Sequence, residues 1–291
     1  MIQWKNTLHK EVNSVMINND FLKKEDYEEP CCLLNMNPAP QVTHIPTTRV
    51  IAKLDEYFSR NDYQSAERHL KYWRAEASAG NDIRGEITVL NEQIGIYRKT
   101  GKEKECFEAI DAVLALSEEN DMENTAAFGT ILVNIATGYK AFGKADKALP
   151  VYEKARSIYE SVLAPQDERL GGLYNNMALA LVDLNDFRRA EDLYNKALEV
   201  MSKQEHGEAE MAITYLNIAD LVAAEEGEEA GEKHIRDCID KAEELLDTDS
   251  LPRNGYYAFV CEKCAPSFGY HGYFLAEQKF SNRAREIYER S

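Results

Sequence analysis

Residues 173–200 read "LYNNMALALVDLNDFRRAEDLYNKALEV", and this stretch decides the fold because it repeats. Residues 132–159, "LVNIATGYKAFGKADKALPVYEKARSIY", carry the same pattern. Set on Asn134 and Asn176, the two segments pair Ala136 with Ala178, Ala148 with Ala190, Tyr152 with Tyr194 and Ala155 with Ala197, always 42 residues apart. A third copy at 215–242, "YLNIADLVAAEEGEEAGEKHIRDCIDKA", brings Asn217 and Ala219 into register at an offset of 41. Upstream, Tyr97 and Gly101 stand 42 residues before Tyr139 and Gly143. Tyr57, Ala66, Leu70 and Trp73 supply an earlier copy, and Leu275, Ala284 and Tyr288 a last one, giving six.

In each copy the apolar residues recur at helical spacing and the pattern breaks halfway, so each copy reads as a helix–turn–helix pair. A small residue lets the two helices of a pair approach, and an aromatic a turn later fills the gap to the next pair. Composition agrees. Only 15 Gly and 8 Pro occur in 291 residues, which disfavours a turn-rich β fold, and 44% hydrophobic residues suffice for a real core.

These residues resemble the tetratricopeptide (TPR) pattern, with a small residue and Tyr on the first helix, then Ala, Tyr and Ala on the second. With "VNIA", "NNMA" and "LNIA" at a period of 42, the repeats look like the extended kind of kinesin light chain. The resemblance implies an all-α chain, a right-handed α-solenoid of about six pairs over residues 47–291, preceded by an N-terminal helix and Pro-containing linker at 1–46. Two copies depart from the pattern: Trp73 replaces the last Ala of the first copy, and Gly231 the middle Ala of the fifth.

The register also reads the thiols. Cys106 takes the place of Ala66, Ala148 and Ala190, and Cys238 that of Ala155 and Ala197, so both read as packing residues. Counting back from Ala284 puts Gly272 at the small position of the last first helix, Cys264 at an apolar position and Cys261 at an exposed one, where Thr125, Asp167 and Glu208 stand. On that count the final helix has barely three turns, and Pro266 kinks the helix before it or marks its start. A lone C-x-x-C supplies two zinc ligands where a structural site needs four, and a redox pair wants a βαβ context. A metal or thiol-redox role for Cys261 and Cys264 is thus the weaker alternative, and no cofactor is expected.

Residues 1–24 carry Trp4, Leu8, Val12, Val15 and Met16 as an amphipathic stripe, and Pro30, Pro38, Pro40 and Pro46 forbid a helix in the following segment. This segment reads as a cap on the first repeat, with occupation of the groove as the other reading.

The formal charge of −17 repels nucleic acid and anionic lipid and steers basic proteins or peptides inward, while keeping a helical surface solvated. No apolar run of signal-peptide or membrane-span length appears, so the expected location is the cytoplasm. There is no phosphate loop, H-E-x-x-H or nucleophile elbow, and no two of the six histidines stand at i, i+4. An enzyme is not expected.

The resemblance implies a non-enzymatic scaffold whose first helices line a concave groove for a peptide or protein segment. Asn91, Arg98, Lys140, Asn175 and Asp220 are expected to face it, with Asn134, Asn176 and Asn217 in register beside them. An amide offers a peptide backbone both a donor and an acceptor; the competing role is a bond to the neighbouring helix. A peptide-responsive regulator without its own DNA-binding domain is the alternative function. The aromatic excess at 256–274 either folds back on the preceding pair or meets another chain, and self-association is expected.

Overall fold

A computed structural model describes residues 42–120 and 124–290. The N-terminal stripe, the linker up to residue 41 and Cys31 and Cys32 lie outside the described residues. The fold is all-α, with no strand among the described residues, and falls into two compact units divided at residue 123. The first contains α1 (Thr47–Ser59), α2 (Tyr63–Ala79), α3 (Ile83–Lys99) and α4 (Glu103–Glu119). The second contains α5 (Ala126–Ala141), α6 (Ala145–Val162), α7 (Glu168–Asp183), α8 (Phe187–Met201), α9 (Glu208–Glu226), α10 (Glu232–Asp247), α11 (Gly255–Tyr270) and α12 (Phe274–Arg290). Odd and even helices pair, α1 with α2 through α11 with α12.

The turn inside a pair is written in the sequence. Asn61, Gly101, Gly143, Asn185 and Gly272 all take positive φ, between 54° and 83°, a conformation Gly adopts freely and Asn tolerates. The residue after each donates its N–H back to the carbonyl five positions earlier: Asp62 to Tyr57, Lys102 to Tyr97, Lys144 to Tyr139, Asp186 to Leu181 and Tyr273 to Phe268, at 2.8–3.0 Å. That bond closes the end of the first helix and starts the second. Asp62, Asp82, Thr125, Asp167, Asp186 and Asn254 then cap the helices they precede, each side chain accepting a first-turn N–H. Such a cap contributes about 1 kcal/mol.

The core follows the predicted small residues. Ala136, Ala178 and Ala219 on first helices are fully buried, as are Ala148, Ala190, Ala155, Ala197, Tyr152 and Tyr194 on second helices. Cys106, fourth residue of α4, is fully buried where Ala66, Ala148 and Ala190 stand in α2, α6 and α8.

The last pair is set differently from the count based on Ala284. Asn254 caps α11 as Thr125 and Asp167 cap α5 and α7, and Gly272 is the positive-φ residue of the turn, so it does not lie in a helix. The small position is therefore Ala265, eleven residues after the cap like Ala136 and Ala178, and Ala284 is the eleventh residue of α12, matching Ala155 and Ala197. The shift is seven residues, nearly two helical turns, which leaves every side chain on the same face. Cys261 thus falls where Leu132 and Tyr174 stand and is fully buried, not exposed. Pro266 is the twelfth residue of α11 and does not mark its start, and α12 runs 17 residues rather than three turns. Glu277 takes the fourth place of α12, and Gly269 makes room for it: a Cβ on Gly269 would lie 2.5 Å from the Glu277 carboxylate.

The fifth pair is also corrected. Gly231 caps α10 and does not hold the place of Ala148 and Ala190, which falls to Ile235, the fourth residue of α10. Cys238 is the seventh residue of α10, as Leu193 is of α8, and Ala242 holds the alanine position. Cys238 still packs, 5% exposed. The acidic stretch 225–232 spans the end of α9, the turn and the start of α10, with Glu225, Glu226, Glu228, Glu229 and Glu232 all exposed.

Candidate functional site

In the second unit the first helices form a layer of their own, α5 packing on α7, α7 on α9 and α9 on α11. Asn134, Asn176 and Asn217 sit near the middle of α5, α7 and α9, each half-exposed. Toward the C-terminal ends an ion pair and a histidine–carboxylate hydrogen bond join successive repeats. Lys140 Nζ of α5 lies 3.2 Å from the Asp183 carboxylate of α7. His271 Nε2, just past α11, donates to Asp220 Oδ1 of α9 at 2.8 Å. Asp183 and Asp220 keep roughly half their side-chain surface in solvent, at 44% and 49%.

Asn175 is used differently. It is buried, and its Oδ1 accepts a 3.0 Å hydrogen bond from Asn217 Nδ2. Its equivalents in α5 and α9 are Val133 and Leu216, so it is a polar residue at a core position. Asn175 and Asn217 therefore join α7 to α9, the helix-to-helix role, and Asn175 does not face an open groove.

Behind this layer stand the tyrosines. Tyr152 OH and Thr137 Oγ1 share a 2.9 Å bond, and Tyr159 OH and Thr130 Oγ1 one of 2.7 Å. Tyr194 stands at the position of Tyr152, the place of Thr137 is held by Leu179, which has no hydroxyl, and the buried Tyr194 hydroxyl has no partner among the described residues. Burial, reinforced by Asp220 and Asp183, pushes its pKa far above the ordinary phenol value.

In the first unit, Asn91 is buried on α3 and Arg98 half-buried on the same helix. Sequence reading missed that α3 also buries Glu86, Glu92 and Gln93. The only signal was the polar run Asn91-Glu92-Gln93 set between Leu90 and Ile94, both core residues.

Cys261 and Cys264 stand one turn apart on α11, free and buried. Burial raises both thiol pKa values, and Tyr257 beside Cys261 offsets this only in part. Among the described residues no three His, Cys, Asp or Glu side chains converge as metal ligands. No helix among them is long and apolar enough to cross a membrane.

Comparison with known proteins agrees on the repeat. A family model described as tetratricopeptide repeat matches residues 127–203, the pairs α5–α6 and α7–α8. A search of curated proteins finds no match. Among solved structures, a variant of the Podosopora anserina kinesin light chain nearly identical TPR-like repeats aligns at 14% identity over 69% of this chain and 95% of that one, with a TM-score of 0.50. BtubC (BKLC) from P. vanneervenii aligns at 19% identity over 85% of this chain and 92% of that one, TM-score 0.47. A tetratricopeptide repeat protein from Parabacteroides merdae aligns at 19% identity over 83% and 93%, TM-score 0.42. Residues 127–203 therefore match the tetratricopeptide repeat, and the helical-repeat fold is similar to that of the kinesin light chain TPR-like repeats.

Proposed function

We propose that the chain is a non-enzymatic protein-interaction scaffold, and that the face formed by α5, α7, α9 and α11 receives an extended segment of a partner protein. Tetratricopeptide repeats generally mediate protein–protein interaction. The observation that carries the reading here is the half-exposed amides Asn134 and Asn176 at one level of successive first helices, with Asn217, whose Nδ2 is engaged by Asn175, at the same level of the next. Packed helices lie about 8–10 Å apart and an extended chain advances about 3.3 Å per residue, so each amide meets every third residue or so of a bound segment. Amides suit a backbone because they both donate and accept. The net charge of −17 favours a basic segment.

A photo-crosslinking residue at Asn176, compared with one at exposed Glu191 on α8, tests the face directly in native lysate. Crosslinks to one defined partner from position 176 and not from 191, weakened about tenfold by Asn134→Ala with Asn176→Ala, support the reading. Crosslinks from 191 alone, or equally from both, overturn it.

A second reading concerns self-association. Tyr257 and Phe268 fold into the last pair, fully buried, whereas Tyr270, Phe274 and Leu275 remain 68–84% exposed. Three large apolar side chains left this exposed within six residues support a second copy of the chain as their cover. A monomeric mass by sedimentation at micromolar concentration sinks this reading. A dimer dissociated by Leu275→Glu supports it.

A further inference from the structure

The first unit holds a cleft of about 440 Å³ between α2 and α4, floored by α3. This size lies within the range of small-ligand sites. Its floor carries Gln93, 2% exposed, whose carboxamide oxygen has no hydrogen-bond partner among the described residues. A buried acceptor left unpaired costs about 1–3 kcal/mol, a cost that a donor supplied by a ligand would remove.

The charges around it are not balanced. The two cations of the α2 wall are already engaged, Lys71 with Glu67 at 2.8 Å and Arg74 with buried Glu86 at 3.4 Å. On the α4 wall Glu105, half-buried, has no cationic partner among the described residues, and Glu108 only an exposed one, Lys104 at 3.6 Å. Tyr97 presents a buried ring beside them. The unmet groups are therefore acceptors: an amide oxygen, a carboxylate and an aromatic face.

We propose that this cleft binds a guanidinium group, donating to Gln93 Oε1 and Glu105 and lying against Tyr97. A guanidinium has five N–H donors in a planar fork and stacks on aromatic faces, so it can satisfy a floor and a wall together. The source is either a free small guanidine or an arginine side chain of a bound protein.

The test is calorimetric titration of the full chain with N-acetylarginine methylamide, agmatine and N-acetylcitrulline methylamide, the last being a neutral isostere. Saturable binding of the arginine derivative in the submillimolar range, at least about tenfold weaker for citrulline, is expected. Gln93→Met and Glu105→Gln each weaken it about tenfold, while Glu118→Gln, on α4 outside the cleft, does not. Gln93→Met removes an unpaired buried oxygen without a cavity, so the variant folds, and circular dichroism verifies this. Agmatine binding as tightly as the arginine derivative assigns the cleft to a free guanidine. Much weaker binding of agmatine assigns it to a peptide side chain. No saturable binding up to about 10 mM, equal binding of citrulline, or binding unchanged in both cleft variants overturns the proposal.

Discussion

Asn217 Nδ2 on α9 donates a 3.0 Å hydrogen bond to Asn175 Oδ1 on α7, joining residues 42 positions apart. Asn175 is buried and Asn217 half-exposed, so the bond is part of what holds one repeat on the next. A bond of this sort contributes about 0.5–1.5 kcal/mol. A double-mutant cycle with Asn175→Ala and Asn217→Ala should give a coupling energy in that range by denaturant unfolding. Additive losses would mean that the bond adds nothing to stability.

Gly129 and Gly172 make opposite predictions. A Cβ on Gly129 would lie 2.5 Å from the ring of Tyr159, which is fully buried and held by its 2.7 Å bond to Thr130. Gly129→Ala therefore costs about 1–3 kcal/mol by overpacking. Gly172, inside α7, has nothing within 4 Å of its would-be Cβ. Gly172→Ala should gain about 0.5–1 kcal/mol from helix propensity, read as a rise in Tm.

Tyr152 and Tyr194 occupy the same place in successive repeats, and only Tyr152 has its hydroxyl bonded. Tyr152→Phe leaves Thr137 without this partner and should cost about 1 kcal/mol. Tyr194→Phe removes an unpaired buried hydroxyl and should leave stability unchanged or raise it. Equal losses in the two variants would contradict the assignment.

Asp247, at the end of α10, faces Arg283 at 2.6 Å and Lys279. Burial alone would raise its pKa, but the two cations outweigh it and hold the carboxyl below its ordinary value of 3.8. A carboxyl depressed in this way adds stability that is fully present above the ordinary value and is lost as pH falls through the folded one. The Tm difference between wild type and Asp247→Asn should therefore be constant near neutrality and shrink below about pH 4. A difference that stays constant down to about pH 2.5 would exclude the charge as its source.

Burial pushes the Cys106 and Cys238 thiols up to about 11 and raises those of Cys261 and Cys264 as well. In a Cys31→Ser, Cys32→Ser background the remaining thiols should react with a disulfide reagent only as fast as the fold opens. Rapid native-state labelling of Cys261 would revive a thiol role.

Much of the molecule was legible in its sequence, because close helix packing demands small and aromatic residues at fixed spacing. Ala136, Ala178, Ala148 and Tyr152 are buried as their repeat positions require, and Gly101, Gly143 and Asn185 mark the turns. The helix pairs, their number among the described residues and the packing role of Cys106 follow from that spacing alone. The sequence did not decide the register of the last pair. A slip of seven residues turns a helix through almost two full circles, so the apolar pattern reads the same at Gly272 and at Ala265. Only the backbone resolves it, through the Asn254 cap and the bond from Tyr273 N–H to the Phe268 carbonyl. That shift moved Cys261 from the surface to the core. Tertiary structure alone also decided that Asn175 joins two helices and that the Gln93 oxygen, on the floor of a cleft, has no partner among the described residues. A side chain's partners come from helices distant in sequence, and no periodicity records them.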